Sequence, residues 1–440
     1  MVRAFLVAFA VLVTVAGCER VQQRLLERAA ERAIEGDRTD WLDDGSLHVV
    51  LCGTGSPLPD PDRAGPCTAV MAAGKLFLVD VGPGSWENVQ LWRLPRDSLS
   101  GVLLTHFHSD HIGELGEVVV QSWIGGRTAQ LPVYGPPGVR EVVDGFQHAY
   151  AFDARYRVGH HGEKAMPPSG ARAFGIPIDM AVQAPAADDG GQPRGADEAS
   201  DANEAADANE AANPNEVANA DEAADADEAA NADEVANTDE VANADEATDT
   251  DESVESNESA SADEAADVGA VARATVLLDE DGLRITAFAV DHTPVQPAYG
   301  YRFDFGGRSV VVSGDTVRST ELIANAAGAD ILVHEALAAH LISGISQYAG
   351  SRGEERLAKL TSDILDYHTT PAEAVEIARE ADVGTLVLTH LVPPVANRLV
   401  QRLFMQGTEG LWDGEVVVGE DGMHFVLPSD SSEIHTKRLD

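Results

Sequence analysis

The chain has 440 residues and a formal net charge of −44, from 74 acidic against 30 basic side chains. That length ordinarily holds two or three domains, and so negative a balance opposes a polyanionic partner such as nucleic acid. Both excesses trace largely to one low-complexity tract in the middle of the chain.

The N-terminus sets the compartment. Met1-Val2-Arg3, the mostly apolar run from Ala4 to Ala16 and then Gly17-Cys18 have a charged start, a short apolar stretch and small residues before a cysteine. The run is too short to span a membrane comfortably and reads as a signal peptide over 1–17. Val15-Ala16-Gly17-Cys18 resembles a bacterial lipobox, so Cys18 is expected to be acylated and to hold the protein at the cell envelope, periplasmic or surface-exposed, through a membrane anchor. An ordinary cleaved signal is the alternative, and export follows either way. Leu25, Leu26, Ala29, Ala30 and Ile34 form a helical stripe within a spacer over 18–46.

A catalytic domain is expected over 47–430, followed by a tail over 431–440. Apolar strands near 48–52, 68–72, 76–80, 101–104 and 131–134 alternate with helical stretches near 114–123 and 137–149, and the second half repeats the theme from Val276 to Leu427. Cys52 and Cys67 lie on or beside neighbouring strands. Export allows a disulfide there, with two free thiols as the alternative.

The strand Gly101-Val102-Leu103-Leu104 runs into Thr105-His106-Phe107-His108-Ser109-Asp110-His111. His106 and His108 project to one side of an extended backbone, and the turn that follows carries Asp110 and His111 to a second point nearby. The pattern suits two metals. Imidazole and carboxylate ligands around an open position favour Zn²⁺, with Mn²⁺ or Fe as alternatives, and such a pair can activate water for hydrolysis.

Further along, Ala151 to His161 gathers Arg155, Arg157, His160 and His161. These cations are expected either to face the metals and bind an anionic part of the substrate or to form a solvated helix end. The low-complexity tract follows, assigned to 184–268. Between 188 and 267 there are 28 acidic residues against Arg194 alone, so this tract carries −27 of the −44 and the remainder −17. Asp-Glu pairs begin at 221, 227, 233, 239, 245 and 251. A period of six fits neither an amphipathic helix nor a heptad seam, and large apolar residues are missing, so a disordered insertion within one catalytic domain is expected.

The motif resembles that of the metallo-β-lactamase superfamily, and within it ribonuclease Z and its phosphodiesterase and arylsulfatase-like relatives. The resemblance extends through Leu51-Cys52-Gly53-Thr54-Gly55-Ser56-Pro57 and Phe77-Leu78-Val79-Asp80-Val81-Gly82, and it covers most of the chain outside the signal, the acidic tract and the tail. It implies an α/β fold, the four-layered αββα sandwich. His292 in Asp291-His292-Thr293-Pro294 matches the family's third histidine of the first metal site. Asp315 in Val311-Val312-Ser313-Gly314-Asp315-Thr316 matches the bridging carboxylate, and His390 in Leu386-Val387-Leu388-Thr389-His390 the last ligand of the second site. Two Zn²⁺ would thus be held by His106, His108 and His292 and by Asp110, His111 and His390, with Asp315 shared, and a bridging hydroxide would be the nucleophile. Glu335 and His368 match a pair that stabilises developing charge and protonates the leaving oxygen, with His368 as acid and Glu335 as its partner. Asp110 is expected to accept a proton as well as to ligate.

Substrate is read from what departs from the family. The protruding arm with which ribonuclease Z binds transfer RNA lies between the Gly-Tyr-Arg segment and the bridging aspartate, and here that interval is only Phe303 to Gly314. With the charge balance, this leads to the expectation of a small-molecule ester substrate, a phosphodiester or an aryl sulfate or phosphate, and no nucleic acid. A lactonase or other carboxylic ester hydrolase and a non-enzymatic, envelope-anchored module are the alternatives. Asp315, standing where β-lactam hydrolases carry cysteine, argues against β-lactams. The oligomeric state is left open.

Overall fold

The computed structural model describes residues 36–180 and 274–439, with Gln23, Arg24, Leu26 and Glu27. The signal peptide, the lipobox with Cys18 and the acidic tract lie outside the described residues.

Two mixed sheets are formed. The first has the order β15-β14-β1-β2-β3-β4-β5-β6 and the second β13-β12-β11-β10-β9-β8-β7. The first comprises β1 (Ser46–Gly53), β2 (Cys67–Ala72), β3 (Lys75–Val79), β4 (Leu99–Leu103), β5 (Leu131–Gly135), β6 (Ala173–Pro177), β14 (Met423–Pro428) and β15 (His435–Arg438). The second comprises β7 (Ala274–Glu280), β8 (Leu283–Val290), β9 (Ala298–Phe305), β10 (Arg308–Val312), β11 (Ile331–Leu337), β12 (Thr385–Val392) and β13 (Glu415–Val418).

Alternating side chains divide the core into layers. Leu47, Val49 and Leu51 of β1 pack with Tyr301, Phe303, Val310 and Val333 between the sheets. Val50 and Cys52 of the same strand point the other way, toward α1 (Ser85–Leu91) and α3 (Leu115–Ile124), where Trp86, Val89, Leu115 and Val118 cover the first sheet. The second sheet is covered by α5 (Thr320–Ala326), α6 (Pro371–Glu380) and α7 (Arg398–Phe404), through Leu322, Ala326, Ala374, Ile377 and Phe404. The result is the expected αββα sandwich.

Cys52 and Cys67 form a disulfide across the β1–β2 pair, closing a sequence separation of 15 residues. The helix expected over 137–149 continues as α4, Val139–His161. Gly145 and Gly159 are the weak helix formers in it, and neither stops it before Gly162, whose φ of +81° suits a glycine C-cap.

Candidate metal centre

Apart from His368, which stands just before the helix Pro371–Glu380, the side chains singled out for the metal cluster follow or lie near the C-terminal end of a strand. β3 leads to Asp80, β4 to His106–His111 through the short helix α2 (Ser109–Ile112), β8 to His292 and β10 to Asp315, while β11 and β12 carry Glu335 and His390 in their last turns of chain. The parallel pairing of β3, β4 and β5, and of β10, β11 and β12, brings those ends to one rim. Gly82 lets the strand-end loops close on one another, since a Cβ there would stand 2.2 Å from the Asp110 carbonyl oxygen.

His390 owes its direction to a bulge. In the β11–β12 ladder Glu335 is opposite Thr389 and Ala336 is opposite Leu391, so His390 is the extra residue. Its φ is +45°, an unusual conformation for a residue with a side chain, and the bulge turns the imidazole into the site.

The structure brings all seven expected ligands together. His106, His108, His292 and Asp315 form one group and Asp110, His111 and His390 another, with the candidate ligand atoms of each group within 4.8 Å of one another. Asp315 Oδ2 lies close to members of both groups. It lies 3.8 Å from His106 Nε2, 3.9 Å from His292 Nε2, 3.3 Å from His111 Nε2 and 3.4 Å from His390 Nε2. Asp110 Oδ2 stands 3.3 Å from His390 Nε2 and 3.5 Å from His111 Nε2. Neighbouring donors on one ion with bonds of about 2.0–2.2 Å are spaced in this way.

The hydrogen atoms fit a metal as well. His292 Nδ1 is 2.8 Å from the Tyr367 carbonyl, which can only accept, so this nitrogen donates and Nε2 keeps its lone pair. His111 Nδ1 likewise donates to Asp80 Oδ2 at 2.8 Å. Thr105 donates its hydroxyl to Asp80 Oδ2 at 2.9 Å and accepts from His106 Nδ1 at 3.0 Å. The inward nitrogens of His111 and His292 are buried and have no hydrogen-bond partner. Buried lone pairs converging on a carboxylate cost free energy unless a cation satisfies them. The donor set therefore fits divalent metal, and the outer carboxylate and hydroxyl fix its tautomers.

The electrostatics agree. Burial opposes charge on Asp315, but His390, His111 and His106 hold its carboxyl well below the usual range. Burial also opposes charge on His111, yet Asp315 and Asp80 on either side pull its pKa well above that of a free imidazole. Positive charge is strongly favoured between those carboxylates.

Glu335 and His368 form the expected pair. Glu335 is 1% exposed, and its Oε1 accepts from His368 Nδ1 at 3.1 Å and from the Thr369 amide at 2.9 Å. Burial disfavours the imidazolium, but Glu335, with Asp315 behind it, raises the His368 pKa to about 9. His368 offers a ring nitrogen within 4.8 Å of Asp315 and His390.

Asp80, Thr105 and the Tyr367 carbonyl are the functional groups that the sequence reading missed. Asp80 had a signal, standing between the strand end and Val81-Gly82-Pro83-Gly84. Its φ of +59° is one that aspartate tolerates. Arg155, Arg157, His160 and His161 are not brought to the cluster. They occupy the far half of α4, whose first turn is the end near the site: a Cβ at Gly138 would meet Phe107 at 3.4 Å. At 1.5 Å per residue, positions 155–161 lie about 25–35 Å of helix beyond it. A cavity of about 520 Å³ lies between α3 and α4, lined by Leu115, Val119, Phe146 and Val158, and is likewise separate from the metal cluster.

A buried histidine and aspartate cluster of this kind, on the rim of an αββα sandwich, defines a metal-dependent hydrolase. Residues 60–184 match the family described as the metallo-beta-lactamase superfamily, and residues 224–391 the beta-lactamase superfamily domain. Ribonuclease Z of Mycobacterium bovis is 31% identical over 396 residues, 89% of this chain and 100% of its own. Ribonuclease Z of Mycobacterium marinum is 32% identical over 89% of this chain and 100% of its own. The short form of human tRNase Z shares 16% identity and a TM-score of 0.45 over 87% of this chain and 99% of that one. The chain belongs to the metallo-β-lactamase superfamily, in its ribonuclease Z branch.

The two mycobacterial ribonuclease Z relatives correct the expectation of a small-molecule ester and of no nucleic acid. That expectation rested on the missing arm, which bears on one way of holding transfer RNA and not on RNA as such, and on the net charge of the whole chain taken as a property of the site. Screening limits charge effects to about 8–10 Å in salt, and 28 of the carboxylates belong to the acidic tract, so total charge does not report the potential at the metal cluster.

Proposed function

We propose that the chain is a binuclear metal-dependent phosphodiesterase acting on RNA. The observation that carries this reading is Asp315 Oδ2, within 3.9 Å of four imidazole nitrogens from two ligand groups, beside the Glu335–His368 pair. His106, His108 and His292 would hold one ion and Asp110, His111 and His390 the other, with Asp315 common to both. Two bound Zn²⁺, or Mn²⁺ or Fe in their place, would supply Lewis acidity and bring the pKa of water toward neutrality.

The protein's own groups do the rest. Asp80 and Thr105 hold His111 and His106 with their lone pairs inward. Asp110 faces the cluster with an acceptor oxygen for the proton of the attacking water. His368, kept cationic by Glu335, donates a proton to the leaving oxygen and stabilises the charge growing there. The Thr369 amide fixes Glu335, so the acid does not wander as the charge moves. We also propose that the enzyme is exported and anchored through Cys18.

A 3′-extended RNA and bis(p-nitrophenyl) phosphate test the reaction. Zinc-reconstituted protein cleaves both, chelator stops both, and Asp315→Ala loses turnover together with metal. An Asp315→Ala variant that retains full activity would remove the basis of the proposal.

A further inference from the structure

The reaction leaves one surface of α4 unused. His148, Phe152, Arg155, Tyr156 and His160 are all exposed and fall on one side of the helix, with Arg155 at its edge also lining the cavity between α3 and α4. Phe152 is 60% exposed and Tyr156 69%, and their ring centroids are 6.2 Å apart. The Arg155 guanidinium lies 4.3 Å over the Phe152 ring. Past them the rings of His160 and His161 meet edge to face at 4.7 Å.

Charge on this face is unevenly spent. Arg157 is matched by Asp153 at 2.7 Å, and Glu163 stands beside Lys164 just past the helix end. Arg155 has no carboxylate partner among the described residues, and neither does Arg172, which lines the neighbouring cavity with it. Positions 148, 152, 155, 156 and 160 of the stripe carry no aliphatic side chain and no acid, and Asp153 beside them is spent on Arg157. Adjacent exposed aromatics with a guanidinium over one ring form a platform on which unpaired bases stack while the cation meets phosphate.

We propose that this face of α4 is a docking surface for single-stranded RNA. The inference rests on the RNA phosphodiesterase reading of the metal centre. A bilayer would seek long aliphatic side chains, which this stripe lacks, whereas flat rings beside an unpaired cation complement a polyanion with π faces. The platform begins about 20 Å of helix from the turn that touches Phe107. A strand of roughly 4–16 nucleotides, the usual span of such surfaces, has a size suited to a platform of this extent.

The test pairs Phe152→Ala/Tyr156→Ala with Arg155→Ala. Binding is measured by fluorescence anisotropy with a labelled single-stranded RNA of about 16 nucleotides. The protein is zinc-loaded and carries His368→Ala to slow cleavage of the probe. The aromatic double variant weakens binding about tenfold or more, Arg155→Ala weakens it and flattens its salt dependence, and kcat/KM for bis(p-nitrophenyl) phosphate in the His368 parent stays unchanged. Unchanged RNA affinity in both variants overturns the surface. So does a change of oligomeric state, or of sedimentation with anionic vesicles, in place of a change in RNA affinity. If RNA binds through these residues and is never cleaved by the zinc-loaded enzyme with His368 intact, the surface stands and the enzymatic reading fails.

Discussion

Asp80→Asn isolates what the groups behind the ligands contribute. Asp80 accepts from His111 Nδ1 at 2.8 Å, from the Thr105 hydroxyl at 2.9 Å and from the Thr105 amide at 2.8 Å. Asparagine keeps the shape and tolerates the same left-handed backbone, φ +59° here, so the chain need not move. It can still accept from the Thr105 amide through its one oxygen. Its NH₂ group then faces a ring nitrogen and a hydroxyl that both donated to the carboxylate. To avoid a clash of donors His111 must carry its proton on Nε2, the atom that would ligate. Loss of such an outer partner typically lowers metal affinity about 10–100-fold, equivalent to about 1.4–2.7 kcal/mol. Competition with a chromogenic zinc chelator measures this directly. Wild-type zinc affinity at both sites in Asp80→Asn would refute the claim that Asp80 sets the His111 tautomer.

Other outcomes follow from the same geometry. His368→Ala lowers kcat by about 10²–10⁴-fold while metal content is retained, read by single-turnover kinetics and metal analysis. Because Glu335 raises the His368 pKa to about 9, the acid is protonated at neutral pH and the rate falls as pH rises through that value. Glu335→Gln moves this fall to lower pH, and an unmoved pH profile would separate the two residues. His424 is buried beside His48, its pKa lowered to about 2 by burial first and then by His48, Lys437 and Arg38. A ring that stays neutral when folded but takes a proton when unfolded gives stability that is complete above about pH 6.5 and lost as pH falls. His424→Phe therefore shows a shallower decline of Tm between pH 7 and 4 than wild type. Removing the Cys52–Cys67 bridge by a double serine substitution costs about 3 kcal/mol in denaturant unfolding, the value for a loop of about 15 residues. The proposed lipid anchor, which rests on the sequence and not on this geometry, is checked separately: Cys18→Ser should shift the protein out of the membrane fraction.

What could be read from the sequence was whatever has a local signature. His106, His108, Asp110 and His111 share one strand-end motif, and His292, Asp315 and His390 each close an apolar run, so strand ends and ligands were legible together. The groups behind them were not. The Tyr367 carbonyl has no residue-type signal, and Thr105 acts only because two side chains meet on its hydroxyl. The turn of His390 depends on a bulge against Glu335, a property of two strands in register. The length of α4 was underestimated because helix continuation across Gly145 is decided by packing on α3 and β6, which one segment does not display. Charge misled for the opposite reason: a sum over all residues was applied to a site built from very few.

The central claim is that two ions act together on RNA. Titrating zinc into metal-free protein while following the initial rate of cleavage of a 3′-extended RNA tests it most directly. The rate should rise to a plateau at two equivalents per chain. A plateau at one equivalent, or no cleavage with both sites filled, would contradict it.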